Sequence, residues 1–126
     1  MPLRVLDVGQ CRPDHSSIRY LFESLGAQVE QSQLIPEALE RVANEKFDLV
    51  LVNRKLDYDY SDGTELIRQM KENPVTRDTP VMLISNYEEA QQEAVGLGAE
   101  PGFGKLELSD PGVRNRLKQF LTRRAN

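Results

Sequence analysis

The sequence predicts an α/β fold in which five parallel strands alternate with five helices. Three observations point there. Short apolar runs recur at regular intervals, separated by longer segments whose apolar residues fall at helical spacing. The run Leu49, Val50, Leu51, Val52 has no polar break, as expected of a strand covered on both faces of a parallel sheet. The chain has 126 residues, enough for one domain with a real core and too few for two. The expected domain covers 1–126, with its core at about 3–121.

The first strand is read at "RVLDV", with Asp7 in mid-run, an unusual residue for a buried strand unless it faces a basic neighbour or the end of the sheet. Ile18, Leu21, Phe22 and Leu25 then share one helical face, and Gly26 stops that helix. "AQVEQ" is the second strand. Pro36 opens the second helix, with Ala38, Leu39, Val42 and Ala43 expected inward. "FDLVLV" is the third strand, the most apolar and so the most central, and Asn53 stands at its end. Leu66, Ile67 and Met70 make the third helical stripe, with Pro74 beyond its end. "PVMLI" is the fourth strand. Asn86 with Glu89 forms a capping box for a fourth helix that is thin in large apolar residues. "GFG" is the fifth strand, and Asp110 before Pro111 starts a fifth helix with Val113, Leu117, Phe120 and Leu121 in register. Strands alternating with helices imply right-handed crossovers and helices on both faces of the sheet.

Composition excludes several functions. The formal net charge is -4 and the pI about 5.1, which argues against direct nucleic-acid binding. No apolar run is long enough to span a bilayer, and "MPLRVLDVG" lacks the apolar core of a signal peptide, so a cytoplasmic protein with no membrane partner is expected. Cys11 is the only cysteine, so no internal disulfide forms, and His15 is the only histidine, which excludes a multi-histidine metal site. Cys11 is read as structural or incidental, and His15 as a surface residue of the first helical turn. "DYDYSDG" fails as a calcium loop, because counting from Asp57 the positions that need Gly and Glu hold Asp62 and Arg68.

Several stretches together resemble the receiver domain of two-component response regulators. "ESLGAQV" is similar to the family's first-helix end and second strand, "FDLVLVN" to its phosphoacceptor strand, and "DGTEL" to the start of its third helix. "TPVMLIS" resembles its fourth strand with a terminal hydroxyl residue, and "GLGAEPGFGK" the run leading to its lysine. The resemblance covers roughly residues 3–121. It implies a flavodoxin-like, doubly wound fold with strand order 2-1-3-4-5. It also implies a phosphoacceptor aspartate, an acidic pair that holds Mg²⁺, a Ser or Thr, and a lysine.

The carry-over of this machinery is partial. Ser85 and Lys105 match the hydroxyl and lysine positions, but Asn53 stands at the phosphoacceptor position, and Gly9 and Gln10 stand at the acidic pair. Gly102 replaces the family's aromatic switch residue, and Asp57 its proline. An amide is not a nucleophile comparable to a carboxylate, and Mg²⁺ needs oxygen anions. The expectation is therefore a pseudo-receiver with no enzymatic activity, no cofactor and no metal, whose loop acids are solvated; the alternative for Asp57 is that it folds back to neutralise Lys105. Its expected partners are a histidine kinase, another receiver or an output domain, met through a face that includes Tyr87, Phe103, Arg114 and Lys118, together with weak homodimer formation. Exposed Tyr58 and Tyr60 would be adhesive anchors. Two alternatives compete: phosphorylation of another carboxylate such as Asp57 or Asp14, and a flavodoxin-like enzyme or small-ligand binder. The second of these lacks a glycine-rich phosphate cradle after the first strand.

Overall fold

The computed structural model describes residues 2–125. The elements are β1 (Leu3–Val8), α1 (Arg12–Ser24), β2 (Ala27–Ser32), α2 (Ile35–Asn44), β3 (Leu49–Asn53), α3 (Gly63–Glu72), β4 (Val81–Ile84), α4 (Glu88–Gly96), β5 (Glu100–Phe103) and α5 (Pro111–Ala125). A single 3-10 turn, Lys105–Glu107, joins β5 to α5. The strands pair in parallel in the order β2-β1-β3-β4-β5, as the sequence predicts. Among the described residues no helix is long and apolar enough to cross a membrane.

Side chains alternate across the sheet and build two cores. Leu6, Val8, Val50, Val52, Val81 and Leu83 meet Ala38, Val42, Leu66, Ile67, Met70 and Ala94 on one face. Val5, Leu49, Leu51, Met82 and Ile84 meet Ile18, Leu21, Phe22, Leu117, Phe120 and Leu121 on the other. Each fully buried large side chain contributes about 1.5–3 kcal/mol. Helix α1 ends as expected: Gly26 adopts φ 92° and its N–H donates to Glu23 O at 3.1 Å. Asp110 caps α5 by accepting from Gly112 N at 2.8 Å.

Three local expectations are corrected. Ala43 is exposed, because the inward stripe of α2 runs through Ile35, Ala38 and Val42. The capping box at α4 does not form. The N-cap is Tyr87, which makes no side-chain cap, and Asn86 Oδ1 instead accepts from Leu106 N at 3.1 Å. The fifth strand starts at Glu100, and its pairing with β4 slips: Met82 faces Glu100, while Ile84 faces Phe103. The extra residue turns Phe103 into the core, where it is 1% exposed and its ring centroid lies 6.1 Å from that of Phe22. Phe103 is therefore not part of a partner face.

The slip would leave backbone groups of β4 and β5 without strand partners, and Gln91 of α4 supplies them. Its Nε2 donates to Leu83 O at 2.9 Å and Ser85 O at 3.1 Å, and its Oε1 accepts from Gly102 N at 3.1 Å. Gly102 is required at this point, since a Cβ would stand 2.0 Å from Leu83 O. Gln91→Leu should cost about 1–3 kcal/mol through the unpaired Gly102 N–H. Urea unfolding measures that cost, and faster amide exchange confined to Gly102 and its neighbours locates it.

Candidate functional site

The loops that leave the carboxyl ends of the strands meet above β1 and β3. Gly9 follows β1 with φ 79°. Its N–H donates to Ser32 O at 2.9 Å, and its carbonyl accepts from Asp57 N at 2.9 Å and from Asn53 Nδ2 at 3.4 Å. Leu56, fully buried, lies over it: a Cβ at residue 9 would stand 2.3 Å from Leu56 Cγ. The loop that delivers Leu56 closes on itself. Leu56 N donates to Ser61 O and Tyr60 N to Leu56 O, both at 2.9 Å. At its base Arg54 pairs with Asp62 at 3.0 Å, and Asp62 also caps α3 by accepting from Thr64 N at 2.9 Å. The sequence signal for Leu56 was a lone apolar residue in an otherwise polar loop.

Asn53, Ser85 and Lys105 come together as the sequence predicts. They line one shallow cleft of about 250 Å³ with Arg54, Lys55 and Tyr87. Ser85 is buried and its Oγ accepts from Tyr87 N at 3.1 Å. Lys105 is neutralised by Asp14, and Asp57 stays solvated, as the default reading of the loop acids has it. The Lys105 Nζ lies 2.7 Å from Asp14 Oδ2 in the first turn of α1, and the half-buried Cys11 thiol donates to the same oxygen at 3.1 Å. Asp57 is exposed and makes no ion pair among the described residues. Helix α1 starts at Arg12, so Asp14 lies in its first turn, within reach of Lys105. The Lys105 ammonium holds the Asp14 carboxyl below its ordinary value of 3.8.

Asp7 acquires a physical account. It is fully buried on the α1 side of β1, and its Oδ2 lies 2.7 Å from His15 Nδ1. His15 is thus not a surface residue, since its side chain is only 13% exposed. Burial pushes the Asp7 carboxyl up, opposed chiefly by His15. Among the described residues Asp7 Oδ1 and both amide atoms of the buried Gln10 have no hydrogen-bond partner. Gln10 lies close enough to Asp7 to temper that shift.

On the outer surface Tyr87 is 75% exposed, Lys118 is exposed, and Arg114 Nη1 donates to Ser24 Oγ at 2.8 Å. Tyr58 and Tyr60 are exposed together, at 68% and 71%. Among the described residues no group of three or more His, Cys, Asp or Glu side chains is arranged to hold a metal ion.

The Lys105–Asp14 pair is partly solvated, with side chains 30% and 36% exposed, so it contributes about 0–1 kcal/mol. Because the folded-state value of Asp14 is lowered, that contribution is complete above the ordinary value of 3.8 and is lost as pH falls through the lowered one. Asp14→Asn should therefore lower stability by up to about 1 kcal/mol near neutral pH. The gap to the parent should close on acidification, as read from denaturant midpoints across a pH series.

A family model for the response regulator receiver domain matches residues 14–105. A gliding motility regulatory protein from Myxococcus xanthus is 32% identical over 108 residues, which is 84% of this chain and 14% of that protein. The chain therefore spans about 14% of the length of the curated relative it matches. The structure of a Francisella response regulator receiver domain superposes with a TM-score of 0.78 at 20% identity, covering 98% of each chain. A response regulator from Thermotoga maritima gives 0.77 at 24% identity over 97% of this chain and 99% of that one. The chemotaxis response regulator CheY4 of Vibrio cholerae gives 0.73 at 21% identity over 98% and 99%. With the strand order, the Ser85 and Lys105 positions and the family match in agreement, the chain belongs to the response regulator receiver domain family of two-component signalling.

Proposed function

We propose that this receiver domain works without aspartyl phosphorylation, as a protein-interaction module held in one state. The observation that carries the reading is the pairing of Asn53 with a Gly9 covered by Leu56. The carboxamide at the tip of β3 offers no nucleophilic oxygen comparable to a carboxylate. It is already engaged, donating to the Gly9 carbonyl. The Mg²⁺ that the family implies needs about six oxygen ligands in near-octahedral array. The residues present do not fit it. Residue 9 has no side chain, and a Leu56 side chain fills the space where one would project. Gln10 is buried beneath the cleft, and the Asp14 carboxylate is occupied by Lys105.

A module of this kind acts through its surface. The α4–β5–α5 side offers exposed Tyr87, Arg114 and Lys118 to a histidine kinase, another receiver or an output domain.

Two experiments test the reading. Incubation with a small phosphodonor and Mg²⁺ should give no mass gain and no acid-labile phosphate. A gain mapped to Asp14 or Asp57 would replace this function with phosphorylation at a non-standard carboxylate. Gly9→Asp should destabilise the fold by about 2 kcal/mol or more, since it combines a left-handed backbone with an overlap against Leu56. Adding Leu56→Ala should recover the steric part of that loss but none of the backbone part, which thermal melts of the single and double variants would separate.

A further inference from the structure

The loop between β3 and α3 carries the side chains of Asp57, Tyr58, Asp59 and Tyr60, all of them exposed and none of them lining the cleft. The loop is nevertheless rigidly built. Leu56 anchors it, Ser61 N and Oγ both donate to Asp59 Oδ1 at 3.0 and 2.6 Å, and Lys55 bridges to Asp62 across its base. Tyr60 is the one non-glycine residue with positive φ among the described residues, at 60°. A side chain is disfavoured there, and Gly or Asn is the usual occupant. A tyrosine that is 71% exposed has few contacts within the fold to offset that strain. The Lys55 ammonium stands 5.7 Å from its ring centroid. Strained residues on a rigid, exposed loop point to a binding role.

The same chain carries a complementary surface. Helix α5 has no acidic residue, and Lys118, Arg123 and Arg124 are exposed along it. A recess of about 370 Å³ on its outer side is lined by Asn115, Lys118, Gln119, Thr122 and Arg123. It offers room for a phenol ring between two cations, which an aromatic face attracts, and donors at its rim for Asp57 and Asp59. The two surfaces cannot meet within one molecule. The loop stands at the carboxyl end of the sheet, whereas α5 runs back from that end, and the recess lies on its C-terminal half.

We propose that the Tyr58–Tyr60 loop docks into the α5 recess of a second copy of this chain. The contact joins two different patches, so it is heterologous and propagates head to tail instead of closing as a two-fold dimer. It is weak and salt-sensitive, because its charges are exposed. It does not depend on whether the cleft is phosphorylated. The acidic first turn of α4, with Glu88 and Glu89, is the competing acidic surface for α5.

Sedimentation velocity over a concentration series tests the proposal. The weight-average mass should rise with concentration at low salt and fall when salt is added. Asp57→Lys with Asp59→Lys, and separately Lys118→Glu with Arg123→Glu, should each weaken association by about tenfold or more. An equimolar mixture of the two double variants should restore it. Tyr60→Gly should weaken association without lowering the melting temperature, since glycine tolerates the positive φ. The proposal is overturned if the wild-type chain stays monomeric throughout, if the mixture fails to recover association, or if Tyr60→Gly unfolds earlier. It is equally overturned if Glu88→Lys with Glu89→Lys abolishes association while the loop reversal leaves it intact.

Discussion

Leu56 can lie over the end of β1 only because residue 9 has no side chain, and much of the top of the sheet follows from that close approach. With Leu56 seated, the Gly9 carbonyl is left pointing at two donors, Asp57 N and Asn53 Nδ2. An ionised carboxylate at residue 53 would have no proton to offer and would set two acceptors against each other. The amide at the tip of β3 is thus matched to the glycine at the end of β1. The same anchoring fixes the loop beyond, so that Arg54 reaches Asp62 and Asp62 reaches the first turn of α3. Residues 9, 53 and 56 are one packing solution: a side chain at residue 9 overlaps Leu56, and a carboxylate at residue 53 opposes the Gly9 carbonyl.

Removing acids from the strand ends creates an electrostatic problem at Lys105, and α1 solves it. The Lys105 ammonium would otherwise face Arg54 and Lys55 across the cleft. Asp14 supplies the missing negative charge from the first helical turn, where a carboxylate is also favoured by the helix dipole. Its neighbour His15 turns the other way and meets Asp7. Two consecutive residues therefore tie α1 to the β5–α5 connection and to the interior of β1. A buried carboxylate is costly unless paired and hydrogen-bonded. His15 is the chief group that opposes this cost at Asp7.

The layering of the fold was legible because burial writes itself as periodicity. The unbroken apolar run from Leu49 to Val52, covered on both faces, and the stripes of α1, α3 and α5 all survive in three dimensions. The Asn53, Ser85 and Lys105 cleft was legible because strand ends in a parallel sheet converge. What stayed hidden depended on contacts distant in sequence. Nothing local in "EPGFGK" announces that a register slip turns Phe103 inward, or that Gln91, eleven residues before Gly102, fills the gap. The pairing of Lys105 with Asp14 depended on the first turn of α1 meeting the β5–α5 connection, a contact ninety-one residues apart in sequence. Ala43 failed for a simpler reason: alanine fits either face of a helix, so its place in the stripe carried little information.

The slip at β5 also decides how this molecule can be approached. A strand at the edge of a sheet normally offers unpaired N–H and C=O groups to any other chain. Here Pro101 has no N–H to offer. The outward carbonyls are taken by Arg116 of α5, which donates to Pro101 O at 2.8 Å and to Gly102 O at 2.6 Å. Proline and Arg116 together take up the outward groups of residues 101 and 102. A partner that comes to the α4–β5–α5 side meets side chains such as Tyr87, Val95 and Lys118, not an open backbone. Recognition there must rest on shape and charge. Those are properties that a domain held in one state can present without a switch.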